Sequence, residues 1–167
     1  MRTGTGPVAM LARTTARFFL LFGLMITVLG SNPAHAINCR VTVVAMNFGV
    51  YMPMAPAHID VNGQVGVRCQ AEPGSFTVVI GPGVSGDQTA RTLSAGGSDI
   101  IAYNMYRNAA RTEIWGDGTP PTFVVSGVRT SRGRPTLYNY TIYGRMFSGQ
   151  TPNPGVYVDN VMVTVLF

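Results

Sequence analysis

Two cysteines, one histidine beyond residue 36 and one aspartate in a glycine-rich turn are the residues whose types could carry chemistry. Cys39 and Cys69 stand 30 positions apart. A metal or catalytic-thiol reading of them needs further ligands or a base, and His58 is the sole histidine at hand, with no Cys-x-x-Cys. Asp117 in "WGDG" invites a catalytic or calcium reading, but "GDGTPP" is the composition of a tight turn. Trp115 beside it reads as core or a shielded rim rather than a sugar platform. Arg129, Arg132 and Arg134 cluster in "VRTSRGRP", which could meet an anionic surface or polysaccharide; a solvated loop is the plainer reading. "GPGVSG" lacks the Gly-Lys-Ser/Thr ending of a phosphate loop. "NYT" at Asn139 is a glycosylation acceptor that matters only in a eukaryotic secretory route. A nucleophilic triad would have to use His58. The residues therefore assign no catalytic, cofactor-binding or metal-binding position, and the expectation is a protein that is not an enzyme and has no small-molecule substrate.

What must position these residues begins with export. "RTTARFFLLFGLMITVLGSNPAHA" has the positive start (Arg13, Arg17), short apolar run (Phe18 to Gly30) and small-x-small site (Ala34-His35-Ala36) of a secretory signal. Met10 offers an alternative start that would shorten it. Residues 1–36 are expected to be removed, leaving 37–167 as one domain. The apolar run is shorter than the ~20 residues of a comfortable membrane span. Beyond residue 36, nine arginines face seven acids, so the precursor's +5 falls to +2 and gives little ground for nucleic-acid binding. A cysteine pair in an exported chain most often forms a disulfide. Closing a loop of that length would stabilise the fold by roughly 3.5 kcal/mol in the chain-entropy account.

Past Ile37, glycine and proline recur, and between them lie short runs rich in Val, Ile, Tyr, Phe and Thr, the pattern of an all-β sandwich or barrel. Strands are expected over Cys39–Tyr51, broken near Ala45 to Asn47, and over Ala57–Cys69, odd positions buried and Asn62-Gly63 a kink or bulge. Others follow at Ser75–Gly81, Ile100–Arg107, Thr112–Trp115, Thr122–Val128, Leu137–Phe147 and Gly155–Phe167, with "GPGVSGDQTARTLSAGGSD" a long polar loop. His58 falls on an exposed face with no partner implied.

The sequence closes on "YVDNVMVTVLF". By parity, Val161, Val163, Val165 and Phe167 share one face, and Met162, Thr164 and Leu166 the other. Both faces are largely apolar, so the strand should lie inside a sheet with a neighbour on each side. Lys, Pro and bulges, which usually protect an open edge, are missing after Asp159. Either an earlier strand pairs there, or the gap is intended and a foreign strand fills it.

Several motifs together resemble the spore coat protein U domain, which includes subunits of archaic (Csu-type) chaperone–usher pili. They are Cys39, "FGVY" (Phe48 to Tyr51), "VGVRC" ending at Cys69, "AYNMYRNAARTEIWGDG" (with Tyr103, Asn104, Tyr106, Trp115, Gly116, Asp117 and Gly118), "YTIYGRM", and "GVYVDNVMVTVLF" (with Tyr157 and Asp159). The resemblance runs in order over essentially the whole stretch after the signal. It implies an incomplete immunoglobulin-like β-sandwich lacking its last strand, completed by a donor strand from another chain. It further implies a disulfide between Cys39 and Cys69, and a groove bordered by Val161, Val163, Val165 and Phe167. The implied partners are a periplasmic pilus chaperone, an outer-membrane usher and other pilus subunits, with no nucleic acid. The implied location is the periplasm and then the cell surface, with a contribution to adhesion and biofilm.

A donor segment needs roughly ten residues at ~3.3 Å each, yet with cleavage after Ala36 only Ile37 and Asn38 precede Cys39. The expectation is a subunit that accepts a strand without donating one, at a pilus tip or as a terminator. The alternative reading is a stand-alone extracellular coat or binding protein with a complete sandwich.

Overall fold

The computed structural model describes residues 38–54, 56–70, 74–130 and 135–167 of the chain. The expected signal segment and its cleavage site, with Arg132 and Arg134 of the basic loop, lie outside the described residues. Among those described, the elements are eight strands, β1 (Asn38–Val44), β2 (Ile59–Gln70), β3 (Gly74–Ile80), β4 (Thr92–Gly96), β5 (Asp99–Tyr106), β6 (Val125–Arg129), β7 (Thr136–Met146) and β8 (Val163–Leu166), with one 3-10 turn at Gly83–Ser85. They form a five-stranded sheet in the order β1-β2-β7-β5-β4 and a three-stranded sheet in the order β6-β3-β8. Every strand pair is antiparallel. The architecture is an all-β, immunoglobulin-like sandwich.

The period-2 patterns explain the packing. Val65, Val67 and Cys69 of β2 point inward, as do Phe76, Val78 and Ile80 of β3, Ile101, Tyr103 and Met105 of β5, and Ile142 and Met146 of β7. Trp115 is fully buried among them and donates its indole N–H to the Val78 carbonyl at 2.9 Å, so the core reading of this tryptophan holds. Cys39 and Cys69 face each other directly across β1 and β2 and are disulfide-bonded.

Four expectations need correction. β2 and β7 pair without a register shift from Ile59↔Met146 to Cys69↔Thr136, so Asn62-Gly63 is not a bulge. Gly63 serves close approach instead: a Cβ there would lie 2.8 Å from both the Met46 Cγ and the Val44 carbonyl oxygen. The long polar loop contains β4, a short edge strand whose small polar residues carry little strand signal. Thr112–Trp115 is not a strand; after a turn at Asn108–Arg111 it makes only isolated bridges, Tyr106↔Ile114 and Trp115↔Phe123, because it is shared between β5 on one side and Phe123 on the other. His58 has partners: its Nδ1 accepts from Ser148 N at 3.0 Å and its ring meets Phe147 edge-on.

The closing strand is also shorter than expected. Val158 exchanges both backbone hydrogen bonds with Ser94 of β4, at 2.9 and 3.0 Å, before the chain crosses to β3 as β8. The segment thus ties to one sheet and then joins the other.

Candidate functional site

β8 pairs with β3 on one side, Thr77↔Leu166 through Ile80↔Val163. Its other side has no strand partner among the described residues. The parity reading holds. Val161, Val163 and Val165 pack against the core, while Met162 and Leu166 are 75% and 53% exposed. The two apolar faces do not place β8 inside a sheet; it is an edge.

The second wall comes from the other end of the sequence. β1 stops at Val44, near the expected break, and the chain continues without ladder pairing, turning where Gly49 N donates to Asn47 Oδ1 at 2.9 Å. Met46 rests on the core face of the larger sheet, in a depression left by Gly63 and Gly144, whose missing side chains would collide with it. Phe48 lies edge-on to Tyr103, ring centroids 5.7 Å apart. Tyr51 Oη accepts from Gln150 N at 2.8 Å, which joins this wall to the loop after β7. Gln150 in turn imitates a strand residue: its side-chain amide accepts from Ala102 N at 2.6 Å and donates to Ala102 O at 3.0 Å.

Between these walls runs a cleft of about 1000 Å³. Residues 43–51 line one side, Tyr157, Asp159, Val161 and Val163 the other, and Leu93, Ile101, Tyr103, Met105, Ile142 and Met146 form much of the floor. Of the four residues expected to border a groove, Val161 and Val163 line it. Val165 packs on the core beyond its end. Phe167 turns to Phe76 (centroids 6.4 Å), beneath the Arg129 guanidinium 5.2 Å from its ring.

Of the remaining motif residues, Tyr103, Tyr157 and Asp159 line the cleft and the others lie outside its lining. The Tyr103 hydroxyl donates to Asp159 Oδ2 at 2.6 Å, and the other carboxylate oxygen accepts from Val84 N at 2.7 Å. Burial first, and the bond to Asp159 second, push the Tyr103 phenol well above the ordinary tyrosine range. Gly83 is required beside this carboxylate: its φ is +70°, and Asp159 occupies the place a Cβ would take. Tyr106 is buried, which raises its phenol, and sits across from Ile114. Tyr157 Oη donates to the Asn153 carbonyl at 2.7 Å. Asp117 accepts from Thr119 N at 2.8 Å, which holds its carboxyl below the usual range and makes it a turn residue. Gly116 passes against Gln88 and Thr122, and Gly118 sits at φ +91° in the same turn.

Sequence reasoning missed Arg91, which is fully buried. Its guanidinium donates to Asn104 Oδ1 at 2.7 Å and to the carbonyls of Gly81 (2.8 Å), Trp115 (2.8 Å) and Ile80 (3.1 Å). Burial lowers its pKa. Asn104 completes the cluster by donating to Thr89 O at 2.9 Å. Nothing in "DQTARTL" distinguishes this arginine from a solvated one. Gln150, in a run of turn formers, was equally silent.

An apolar floor flanked by backbone without ladder partners suits an extended polypeptide that adds a strand. Among the described residues no group of three His, Cys, Asp or Glu could hold a metal ion.

The sequence and the fold have counterparts. The family profile of the Spore Coat Protein U domain matches residues 25–164. A chain in the solved pre-assembly complex of the CsuC chaperone and CsuE tip adhesion subunit, from archaic chaperone–usher Csu pili of Acinetobacter baumannii, is similar, with a TM-score of 0.58 and 22% identity. The match covers 79% of this chain and 40% of that one, so the present chain spans less than half the length of its structural counterpart. No curated protein matches the sequence.

Proposed function

The chain belongs to the Spore Coat Protein U domain family, and on that premise we propose that it is an exported structural subunit of an archaic chaperone–usher pilus that accepts a strand from another polypeptide. One observation carries this reading. Beside β8, where a further strand would complete the smaller sheet, stands a cleft of about 1000 Å³ lined by apolar core residues. An edge strand next to an open core is a costly arrangement for a protein meant to stand alone. It suits one that is finished by a partner, whose main chain supplies hydrogen bonds and whose alternate side chains fill the floor.

In the periplasm the first donor is a pilus chaperone; at the outer-membrane usher, another subunit's strand replaces it. The resulting fibre contributes to adhesion and biofilm. The disulfide supports the waiting state, because it links β1 to β2 while the second layer is unfinished.

Periplasmic expression tests this. The chain alone is expected to be degraded or to aggregate, and to become soluble as a one-to-one complex when its chaperone is co-expressed. A soluble, stable monomer that takes up neither chaperone nor subunit strands would replace this reading with that of a self-sufficient coat or surface-binding protein.

A further inference from the structure

The smaller sheet, β6-β3-β8, has two outer edges, and they are finished differently. The pairing shows which main-chain groups face outward. Gly81 N donates to Met162 O at 2.9 Å. By the alternation of an antiparallel ladder, Thr164 and Leu166 also turn their peptide groups to β3, while Val163 and Val165 turn theirs to the free side. Along β3 the same alternation gives Thr77 and Val79 to β8, and Phe76 and Val78 to β6. Phe76 stands opposite Gly127, and Val78 opposite Val125. Val124, Ser126 and Val128 therefore direct their N–H and C=O groups away from the sheet.

On that outer side, the Val124 and Val128 carbonyls are already taken by side chains. Arg107 Nη1 donates to Val124 O at 2.6 Å, and Tyr138 Oη donates to Val128 O at 2.8 Å. Both donors are held in place. Arg107 Nε donates to Glu113 Oε2 at 2.6 Å, and its guanidinium lies over the Phe123 ring, 4.6 Å from the centroid. Tyr138 belongs to β7 of the other sheet and packs edge-on to Phe76, centroids 5.1 Å apart. The two caps flank Ser126, so a strand laid along β6 must displace both to form its ladder. At β8 no side chain caps the outward groups of Val163 and Val165 among the described residues. Resting on the strand-accepting role argued above, we infer that Arg107 and Tyr138 select the edge: they close β6 to a foreign strand and so direct uptake to β8. Without them β6 would be a second open edge, able to take another donor or the β6 of another copy.

Photo-crosslinking tests the inference. The probe is a peptide of about eleven residues (~3.3 Å each) that alternates valine and threonine, with p-benzoylphenylalanine at its centre. The disulfide-bonded chain is refolded with excess peptide, irradiated and digested with trypsin, which separates β6 from β8 at Arg129 and Arg145. The native chain should crosslink on the β8 fragment alone. The double variant Tyr138→Phe with Arg107→Met should gain crosslinks on the β6 fragment by about tenfold or more, since two carbonyls are freed. Tyr138→Phe by itself removes only the hydroxyl, keeps the ring against Phe76, and serves with a smaller gain if the double variant refolds poorly. If the native chain crosslinks at β8 and the variants match it, the role of the caps is overturned while the strand-accepting reading stands. Crosslinks at β6 in the native chain would overturn it as well. If the native chain crosslinks nowhere, the strand-accepting reading fails; crosslinks at β6 in the variants would then still uphold the caps, and their absence would sink both.

Discussion

Tyr103 on the floor of the cleft donates a 2.6 Å hydrogen bond to Asp159 on its wall, joining two sequence blocks 56 residues apart. The acceptor carboxylate also takes the Val84 N–H, so one aspartate gathers β5, the turn after β3 and the approach to β8. The pair fixes the distance between floor and wall on the side where β8 begins.

Tyr103→Phe should cost about 1.5–3 kcal/mol, the usual worth of a hydrogen bond to a charged group, measured by denaturant unfolding of the chaperone-bound or peptide-bound chain. The alkaline limb supplies a second readout. Because the folded-state pKa of Tyr103 is raised, its contribution is fully present below the unfolded value near pH 10. It is lost as pH rises through the higher folded value. The phenylalanine variant should therefore show a shallower loss of stability above about pH 10; an unchanged slope would contradict the assignment.

Arg91 should tolerate no substitution well. Arg91→Met takes the guanidinium from three backbone carbonyls and one of two donors from the Asn104 amide oxygen, which keeps Met105 N, and the expected loss is about 3 kcal/mol or more. Arg91→Lys lacks the planar fork and should recover little. Protease resistance of the chaperone complex checks both.

The two cleft glycines should respond differently to a methyl group. At Gly144 the obstacle is the flexible Met46 side chain, whereas at Gly63 it includes the Val44 carbonyl oxygen. Gly144→Ala should be mild and rescued by Met46→Ala. Gly63→Ala should be more damaging and resist that rescue. Thermal unfolding of the four single and double variants decides it, and equal rescue at both sites would refute the close approach of β1's end.

Val163→Asp should abolish strand uptake while the chain still reaches the periplasm, since Val163 lines the cleft. Met162→Asp, on the exposed face, should assemble normally. Pilus yield relative to periplasmic subunit compares them. Equal assembly by both would mean the donor lies elsewhere.

Replacing Cys39 and Cys69 together by serine should remove roughly 3.5 kcal/mol. The loss should be greatest for the chain without a donor, which has the least core to spare. Periplasmic half-life with and without co-expressed chaperone measures the difference.

Much of this protein was legible in its sequence. Alternation with period 2 located most strands and the inward faces of β2 and β8, because a strand with one buried face has no other way to arrange its side chains. The pairing of Cys39 with Cys69 followed from two cysteines in an exported chain. What the sequence withheld depended on neighbours. Gly63 looked like a breaker and proved to be room for Met46. Arg91 looked like a surface charge and proved to be a buried tie among carbonyls. Thr112–Trp115 had strand composition but makes only isolated bridges to Tyr106 and Phe123. Period and composition are local, so the sequence by itself determined most of the strands and their inward faces. Which edges stay unpaired, and what lies across the space between them, is set by contacts among residues tens of positions apart. Only the tertiary structure decided that β8 and the stretch after β1 form two walls with a strand's room between them.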